Sequence, residues 1–127
     1  MAAIGNMFRV VTYRGGEGQV AWILHRVSGV GVFLFLAGHI VNVFLMWFPP
    51  DVFNSALLLY HSVVFKLLSI FGLYFGLLYH ALNGIRVIVV DVWPAAGRRQ
   101  ALLWRIQMVI FVLVYVPSAG VLLARMF

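Results

Sequence analysis

The chain has 127 residues, of which 65% are hydrophobic and only 9% are charged, and its mean hydropathy is +1.06. Roughly a quarter of the residues of an average soluble protein are charged, so this chain cannot cover a water-facing surface. The composition excludes a small soluble domain and predicts an all-α integral membrane protein. The absence of cysteine excludes disulfides, iron–sulfur ligation and covalent c-type haem attachment within the chain.

Three uncharged stretches predict three transmembrane helices, because each is long enough to cross the apolar core of a bilayer. Proline cannot continue a helical hydrogen-bond ladder, so Pro49 and Pro50 end the first helix and Pro94 ends the second. Pro117 lies inside the third stretch and predicts a kink there rather than an end. The uncharged stretches are 27–48, 67–85 and 106–124, and the helices are predicted over approximately 22–48, 64–91 and 101–125 within a single membrane-anchor domain, 1–127.

A short segment between the first two spans has the features of an interfacial helix. Asp51 opens residues 52–60, which contain Asn54 and Ser55 among apolar side chains. An acidic residue before an apolar run is typical of a helix start. This segment is predicted to lie along the membrane surface outside the cell.

The basic residues predict the orientation of the chain. Only Lys66 and Arg125 lie on one side of the predicted spans, and the other side is much richer in arginine. By the positive-inside rule, the N-terminus and the second connection are cytoplasmic. The net charge of +6 is therefore a topology signal rather than a sign of nucleic-acid binding. No cleavable signal peptide or organelle presequence is visible, which favours a prokaryotic plasma membrane over a mitochondrial one. The cytoplasmic arginines are Arg9, Arg14, Arg26, Arg86, Arg98, Arg99 and Arg105.

Two histidines lie at membrane depth. At 1.5 Å per residue, His39 is about 20 Å from Arg26 and His80 is about 9 Å from Arg86. Ionisable groups inside a membrane are costly and mark functional sites, although a packed, hydrogen-bonded histidine remains an alternative. Because neither helix core holds an acidic partner, the two imidazoles favour axial ligation of b-type haem.

Neighbouring residues fit a large flat ligand. On the first helix, His25, Ser28, Val32 and His39 fall on one face, within an arc of about 60°. On the second helix, small residues recur every four positions around His80, a pattern that also occurs at close helix–helix contacts. Arg26 and Arg86 lie at the cytoplasmic ends of their helices, where they suit haem propionates or serve only as topology markers. The small residues are Gly72, Gly76 and Gly84.

The depths of the histidines bear on the number of haems. If Asp91 marks the inner boundary, His80 is about 16 Å deep, against about 20 Å for His39. Unequal depths on different helices favour two haems, one nearer each side, and leave a single shared haem as the alternative. Because His25 and His61 lie near the interfaces, the remaining axial ligands are expected from a partner membrane subunit.

Two motifs together resemble the cytochrome b membrane-anchor family of succinate dehydrogenase (complex II). The first is His25-Arg26-Val27-Ser28-Gly29, and the second runs from His80 through Gly84-Ile85-Arg86 to Asp91. Nearly the whole chain fits the three-helix plan of this family. The resemblance implies pairing with a second membrane anchor into a haem-binding bundle, together with an iron–sulfur subunit and a flavoprotein subunit. The chain would then be non-catalytic by itself, as one part of a succinate:quinone oxidoreductase.

The resemblance also assigns site residues. His80 corresponds to a haem ligand, and His25 and Arg26 correspond to residues beside the quinone pocket and the haem propionates. Arg86 is expected at the propionates from its position at the cytoplasmic end of the second helix. Arg26, with Ser28 and Trp22, is expected at a quinone site that takes menaquinone or ubiquinone. Many family members have serine where this chain has Trp22. In this chain the indole ring would pack on the quinone, or the indole N–H would donate a hydrogen bond to it, in place of the serine hydroxyl.

His39 resembles the two-haem members of the family, in which each membrane anchor gives one histidine to each haem. His39 and His80 are therefore the predicted metal-binding axial ligands. An anchor of a quinol:fumarate reductase is an alternative within the same class, since the sequence does not set the direction of the reaction. A haem-free helical anchor or a small transporter component is the alternative from a different class.

Overall fold

A computed structural model describes residues 16–127 as an all-helical chain, with no strand in that range. Three helices are long and apolar enough to cross a membrane, as predicted. They are α1 (Gly16–Leu45), α3 (Val63–Val92) and α5 (Gln100–Met126), and the shorter helices are α2 (Pro50–His61) and α4 (Pro94–Gly97). Arg9 and Arg14, which contribute to the predicted orientation, lie outside the described residues.

The helix ends follow local chemistry. Gly16 has a φ of 65°, a left-handed conformation that glycine adopts without a Cβ clash, and Glu17 follows in the first turn of α1. At the other end, the backbone N–H groups of residues 46–48 donate to carbonyls three residues earlier, which tightens the chain before Pro49. Pro50 then begins α2, and the Ser62 hydroxyl accepts from the Phe65 N–H, 3.2 Å away, to cap α3.

Helix α3 is not a regular α-helix along its whole length. It is α-helical over Val63–Leu68, π-helical over Ser69–Tyr74 and α-helical again over Phe75–Val92. No feature of the sequence predicted the π-helical turn. Such turns are rare and occur frequently at functional sites.

Helix α3 is central, because it packs against both α1 and α5. The contact with α5 includes several aromatic rings: the buried Phe111 ring meets Phe75 and Tyr79 of α3 at centroid distances of 4.9 and 6.0 Å, and Phe75 also meets Tyr115 at 5.4 Å. The Tyr115 hydroxyl donates to the Ile70 carbonyl, 3.2 Å away. These contacts hold α5 against α3.

The start of α1, the end of α3 and the start of α5 lie at the same end of the bundle. The Arg105 guanidinium contacts the Glu17 carboxylate at 2.8 Å, and Glu17 lines a cavity that Arg86 also lines. The arginines between residues 16 and 127 that predict a cytoplasmic face thus lie at one end of the bundle. Which side of the membrane this end faces stays a prediction. Pro117 lies within the continuous helix α5, so it does not end the span, as predicted.

Candidate functional site

His80 lies at the contact between α1 and α3. Its Nδ1 is 3.0 Å from the His25 carbonyl oxygen and 3.3 Å from the Ser28 hydroxyl. The carbonyl can only accept, so a hydrogen bond here requires the proton on Nδ1. In the neutral ring, Nε2 then keeps its lone pair, as an axial ligand to iron requires.

Ser28 supports this arrangement from a nearly buried position. Its hydroxyl donates to the His25 carbonyl at 3.0 Å, and the residue is 9% exposed. The Ser28 hydroxyl therefore contacts both the His25 carbonyl and the His80 imidazole. Ser28, which was assigned to a quinone site, is placed in the α1–α3 contact beside His80.

The His25 ring stacks on the His80 ring, with centroids 4.0 Å apart and planes 9° apart. His25 was expected near the aqueous end of α1, and its contact with His80 was not anticipated. The two helices run antiparallel, so residues near the start of α1 meet residues toward the end of α3. The His25 Nδ1 has no hydrogen-bond partner within residues 16–127.

A glycine makes room for the His80 ring. A Cβ placed on Gly29 would lie 2.9 Å from the His80 Cε1, closer than real Cβ contacts, and 3.3 Å from its Nδ1, tighter than most of them. Gly76 and Gly84 also face α1, near Ser28 and His25 respectively, whereas nothing lies within 4 Å of a Cβ on Gly72. Gly76 and Gly84 therefore allow α3 to pack closely against α1.

Gly72 opens onto an apolar groove of about 350 Å³ between α1 and α3. The groove is also lined by Ser28, Val32 and Phe35 of α1 and by Phe71 in the π-helical turn. It runs along α1 from the level of Leu24 to that of Phe35, in the direction of His39. The π-helical turn thus contributes directly to this surface.

His39 occupies a different level from His80. It is exposed on α1, where its ring stacks on that of Phe35 at 5.8 Å. From Ser28, which contacts His80, to His39 is 39 − 28 = 11 residues, or about 16 Å along the helix. The chain does not bring His39 and His80 together.

Trp22 and Arg26 form a pair on the outer surface of α1. The Arg26 guanidinium lies 4.5 Å from the centroid of the Trp22 ring, a cation–π contact, and both residues are exposed. They were predicted to lie near a quinone, and they are one helical turn apart. Arg86 instead lies between helices, beside Glu17 and Trp104.

The described part of the chain holds no group of three or more His, Asp or Glu side chains that could hold a metal ion. Haem iron differs from such a centre, because it takes one protein ligand on each face of the porphyrin. A single imidazole with a fixed Nδ1–H fits that requirement.

Comparison with known proteins gives two matches. Residues 8–115 match the family model described as succinate dehydrogenase/fumarate reductase transmembrane subunit. The chain is also 39% identical over 109 residues to the succinate dehydrogenase 2 membrane subunit SdhC of Mycobacterium tuberculosis, over 86% of this chain and 79% of that protein. Both matches confirm the resemblance predicted from the two histidine motifs.

Proposed function

Since the chain belongs to the family of succinate dehydrogenase/fumarate reductase transmembrane subunits, we propose that it binds haem b and forms part of the quinone-reduction site of a succinate:quinone oxidoreductase. The family and the three apolar helices make it a multi-pass membrane anchor. Its relative in a bacterium supports a prokaryotic plasma membrane. The partners would be a second membrane anchor, an iron–sulfur subunit and a flavoprotein subunit.

One observation carries the haem assignment: the His80 Nδ1 lies 3.0 Å from the His25 carbonyl. Histidines that bind metals nearly always donate their other ring N–H to a carbonyl, carboxylate or water. The carbonyl and Ser28 hold the ring, and Gly29 leaves it the necessary space. Haem bound through His80 would supply a one-electron carrier within the membrane.

His39 supports a second haem. It is exposed on α1, about 16 Å along the helix from the level of His80, and this spacing suits two haems nearer opposite sides of the membrane. Each histidine would give one axial bond, and the second membrane anchor would give the other. Arg26 and Arg86 would neutralise the propionates and His25 would donate a hydrogen bond to one of them, since all three residues belong to the same end of the bundle.

The quinone assignment rests on Trp22 and Arg26. Their contact at 4.5 Å presents a flat ring and a charged donor on one exposed patch of α1. Quinones have a flat ring with carbonyl oxygens, so indole packing and a guanidinium hydrogen bond match both features. Ser28 was predicted for the same site. Because its hydroxyl contacts the His80 ring, we propose that it influences the quinone site by holding that ring in position.

The direction of the reaction is proposed as succinate oxidation, because the matched relative is named as a succinate dehydrogenase subunit. A quinol:fumarate reductase anchor would use the same residues. A pyridine haemochrome assay on the intact, four-subunit complex tests the proposal directly. We expect b-type haem, and a complex without haem would overturn the haem-binding function while leaving the membrane-anchor role intact.

A further inference from the structure

Tyr79, the residue directly before His80, carries a hydroxyl group into an apolar part of the bundle. The side chain is fully buried, and its hydroxyl donates to the carbonyl of Ala21 on α1, 3.4 Å away. Ala21 is fully buried as well. The groove that Tyr79 lines contains a single other polar side chain, that of Ser28. Phenylalanine would fill the same space without a buried polar atom, so the hydroxyl indicates a specific link between α3 and α1.

Tyr79 and His80 attach α3 to two neighbouring carbonyls of α1. The Tyr79 hydroxyl contacts the carbonyl of Ala21, and the His80 Nδ1 lies 3.0 Å from the carbonyl of His25. The two carbonyls are one helical turn apart, or about 6 Å along the α1 axis. Adjacent side chains leave a helix about 100° apart, so the two contacts hold α3 at separate points. A single contact would allow α3 to turn about it, whereas two contacts fix its rotation relative to α1.

Helix α5 also holds the Tyr79 ring. The buried Phe111 ring meets it edge to face, with a centroid distance of 6.0 Å. Tyr79 therefore contacts all three membrane-spanning helices, because it belongs to α3, donates to α1 and packs against α5. The aromatic contact restricts the ring, and the hydrogen bond places its hydroxyl end. Removing the hydroxyl alone should therefore release α3 from α1 while the packing against α5 is kept.

We propose that Tyr79 is a positioning residue for His80. Its hydrogen bond to Ala21 sets the rotation of α3, and thereby the length of the hydrogen bond from the His80 Nδ1–H to the His25 carbonyl. This inference rests on the proposed function, in which His80 binds haem iron through Nε2. A carbonyl that accepts from a ligand imidazole makes the ring more basic, and a more basic ligand stabilises oxidised iron. Tyr79 thus keeps the midpoint potential at His80 low by keeping this hydrogen bond short.

Tyr79→Phe tests the proposal, because it keeps the ring against Phe111 and removes only the hydroxyl. Redox titration of the intact, four-subunit complex measures the midpoint potential of each haem component, and the component lost in His80→Leu is the one that His80 binds. We expect its potential to rise. The ratio of reduced to oxidised haem at the wild-type midpoint should be about threefold higher, which is about 28 mV for one electron. The His39 component should keep its potential.

Electron paramagnetic resonance of the oxidised complex gives a second measurement on the same variant. The g-values of a low-spin haem depend on the orientation of its axial imidazole planes. A changed rotation of α3 should therefore shift the g-values of the His80 component in Tyr79→Phe. A role of Tyr79 in helix packing alone would lower the thermal unfolding midpoint and change neither the potential nor the g-values.

Tyr115→Phe is the matched control. The Tyr115 hydroxyl also donates to a carbonyl across a helix contact, that of Ile70 at 3.2 Å, and Ile70 lies in the π-helical turn, away from His80. Each variant thus removes one tyrosine hydrogen bond between two membrane-spanning helices. Both should lower the unfolding midpoint to a similar extent, but Tyr115→Phe should leave the potential and the g-values of the His80 component at their wild-type values.

Phe111→Leu keeps the proposal testable if Tyr79→Phe does not assemble. It leaves the Tyr79 hydroxyl in place and removes the ring that packs against it. The potential of the His80 component should then rise by less than in Tyr79→Phe. A potential and g-values identical to those of the wild type would overturn the proposal in this variant.

The outcomes separate this inference from the proposed function. If the wild type contains haem and Tyr79→Phe matches Tyr115→Phe in potential and g-values, the inference is wrong and haem binding stands. If both haem components shift together in Tyr79→Phe, the substitution disturbs the whole bundle, and a specific role at His80 is excluded. If the wild-type complex contains no b-type haem, the proposed function and this inference both fail.

Discussion

The His25 and His80 rings lie face to face, 4.0 Å apart, although 55 residues separate them in the chain. Two imidazolium ions at that distance would repel each other strongly in a membrane interior. The stack therefore requires at least one neutral ring. The hydrogen bond from the His80 Nδ1–H to the His25 carbonyl sets the tautomer of a neutral His80 ring and leaves its Nε2 as the nitrogen that would bind iron.

The two histidines at membrane depth are expected to bind different haems. In His39→Leu, about half of the haem should be lost, because His80 and its carbonyl contact remain in place. In His80→Leu, the other spectral component should disappear. Pyridine haemochrome quantification and reduced-minus-oxidised spectra measure both. One haem per complex in the wild type, or loss of the same component in both variants, would contradict the two-haem assignment.

Gly29→Ala should disturb the His80 ring. The new Cβ would lie 2.9 Å from the His80 Cε1, so the ring or the helix must move, at a cost of about 1–3 kcal/mol. We expect a shifted haem spectrum or a changed midpoint potential for the His80 component. Gly31→Ala is the control, since nothing lies within 4 Å of a Cβ there. Identical spectra for the two alanine variants would show that the ring does not depend on Gly29.

Arg26 is expected to be needed for quinone reduction more than for assembly. Arg26→Lys keeps a positive charge on α1 and removes the planar group that lies over Trp22. Losing one charge-assisted hydrogen bond should cost about 1.5–3 kcal/mol, a tenfold to hundredfold slower quinone-linked rate. Succinate oxidation by a dye that bypasses the quinone should persist.

The comparison for this variant is Arg98→Lys, which alters an arginine after α3 that has no assigned site role. If Arg26→Lys and Arg98→Lys both reduce quinone at the wild-type rate, Arg26 only anchors the helix at the membrane surface.

Phe111→Ala should weaken the packing of α5 on α3. The ring is 3% exposed and contacts three aromatic rings, so truncation leaves a cavity and should cost about 3 kcal/mol. Leu113→Ala, at a side chain 69% exposed on the same helix, should cost much less. Thermal unfolding of the purified complex measures both, and equal midpoints would contradict the role of the aromatic contact.

The sequence predicted the transmembrane helices better than the contacts between them. Uncharged stretches and prolines predicted all three spans. The hydropathy of a segment and the interruption of helical hydrogen bonds by proline both depend only on the local sequence. His80 was singled out by its depth in the second span and by its motif. Its contacts with His25 and Ser28 were missed, since they depend on how two helices rotate and cross. Tyr79, fully buried with its hydroxyl donating to the Ala21 carbonyl, was missed for the same reason.

The π-helical turn at Ser69–Tyr74 determines where α3 can gain or lose a residue. A π-helical turn holds one residue more than an α-helical turn, so deleting one residue within it can restore a regular helix with both flanks in their original orientation. Deleting a residue between this turn and His80 would instead rotate the imidazole by about 100° relative to the preceding half of the helix. Length variation among related chains should therefore be concentrated at Ser69–Tyr74, and the segment from Phe75 to Arg86 should keep a constant length.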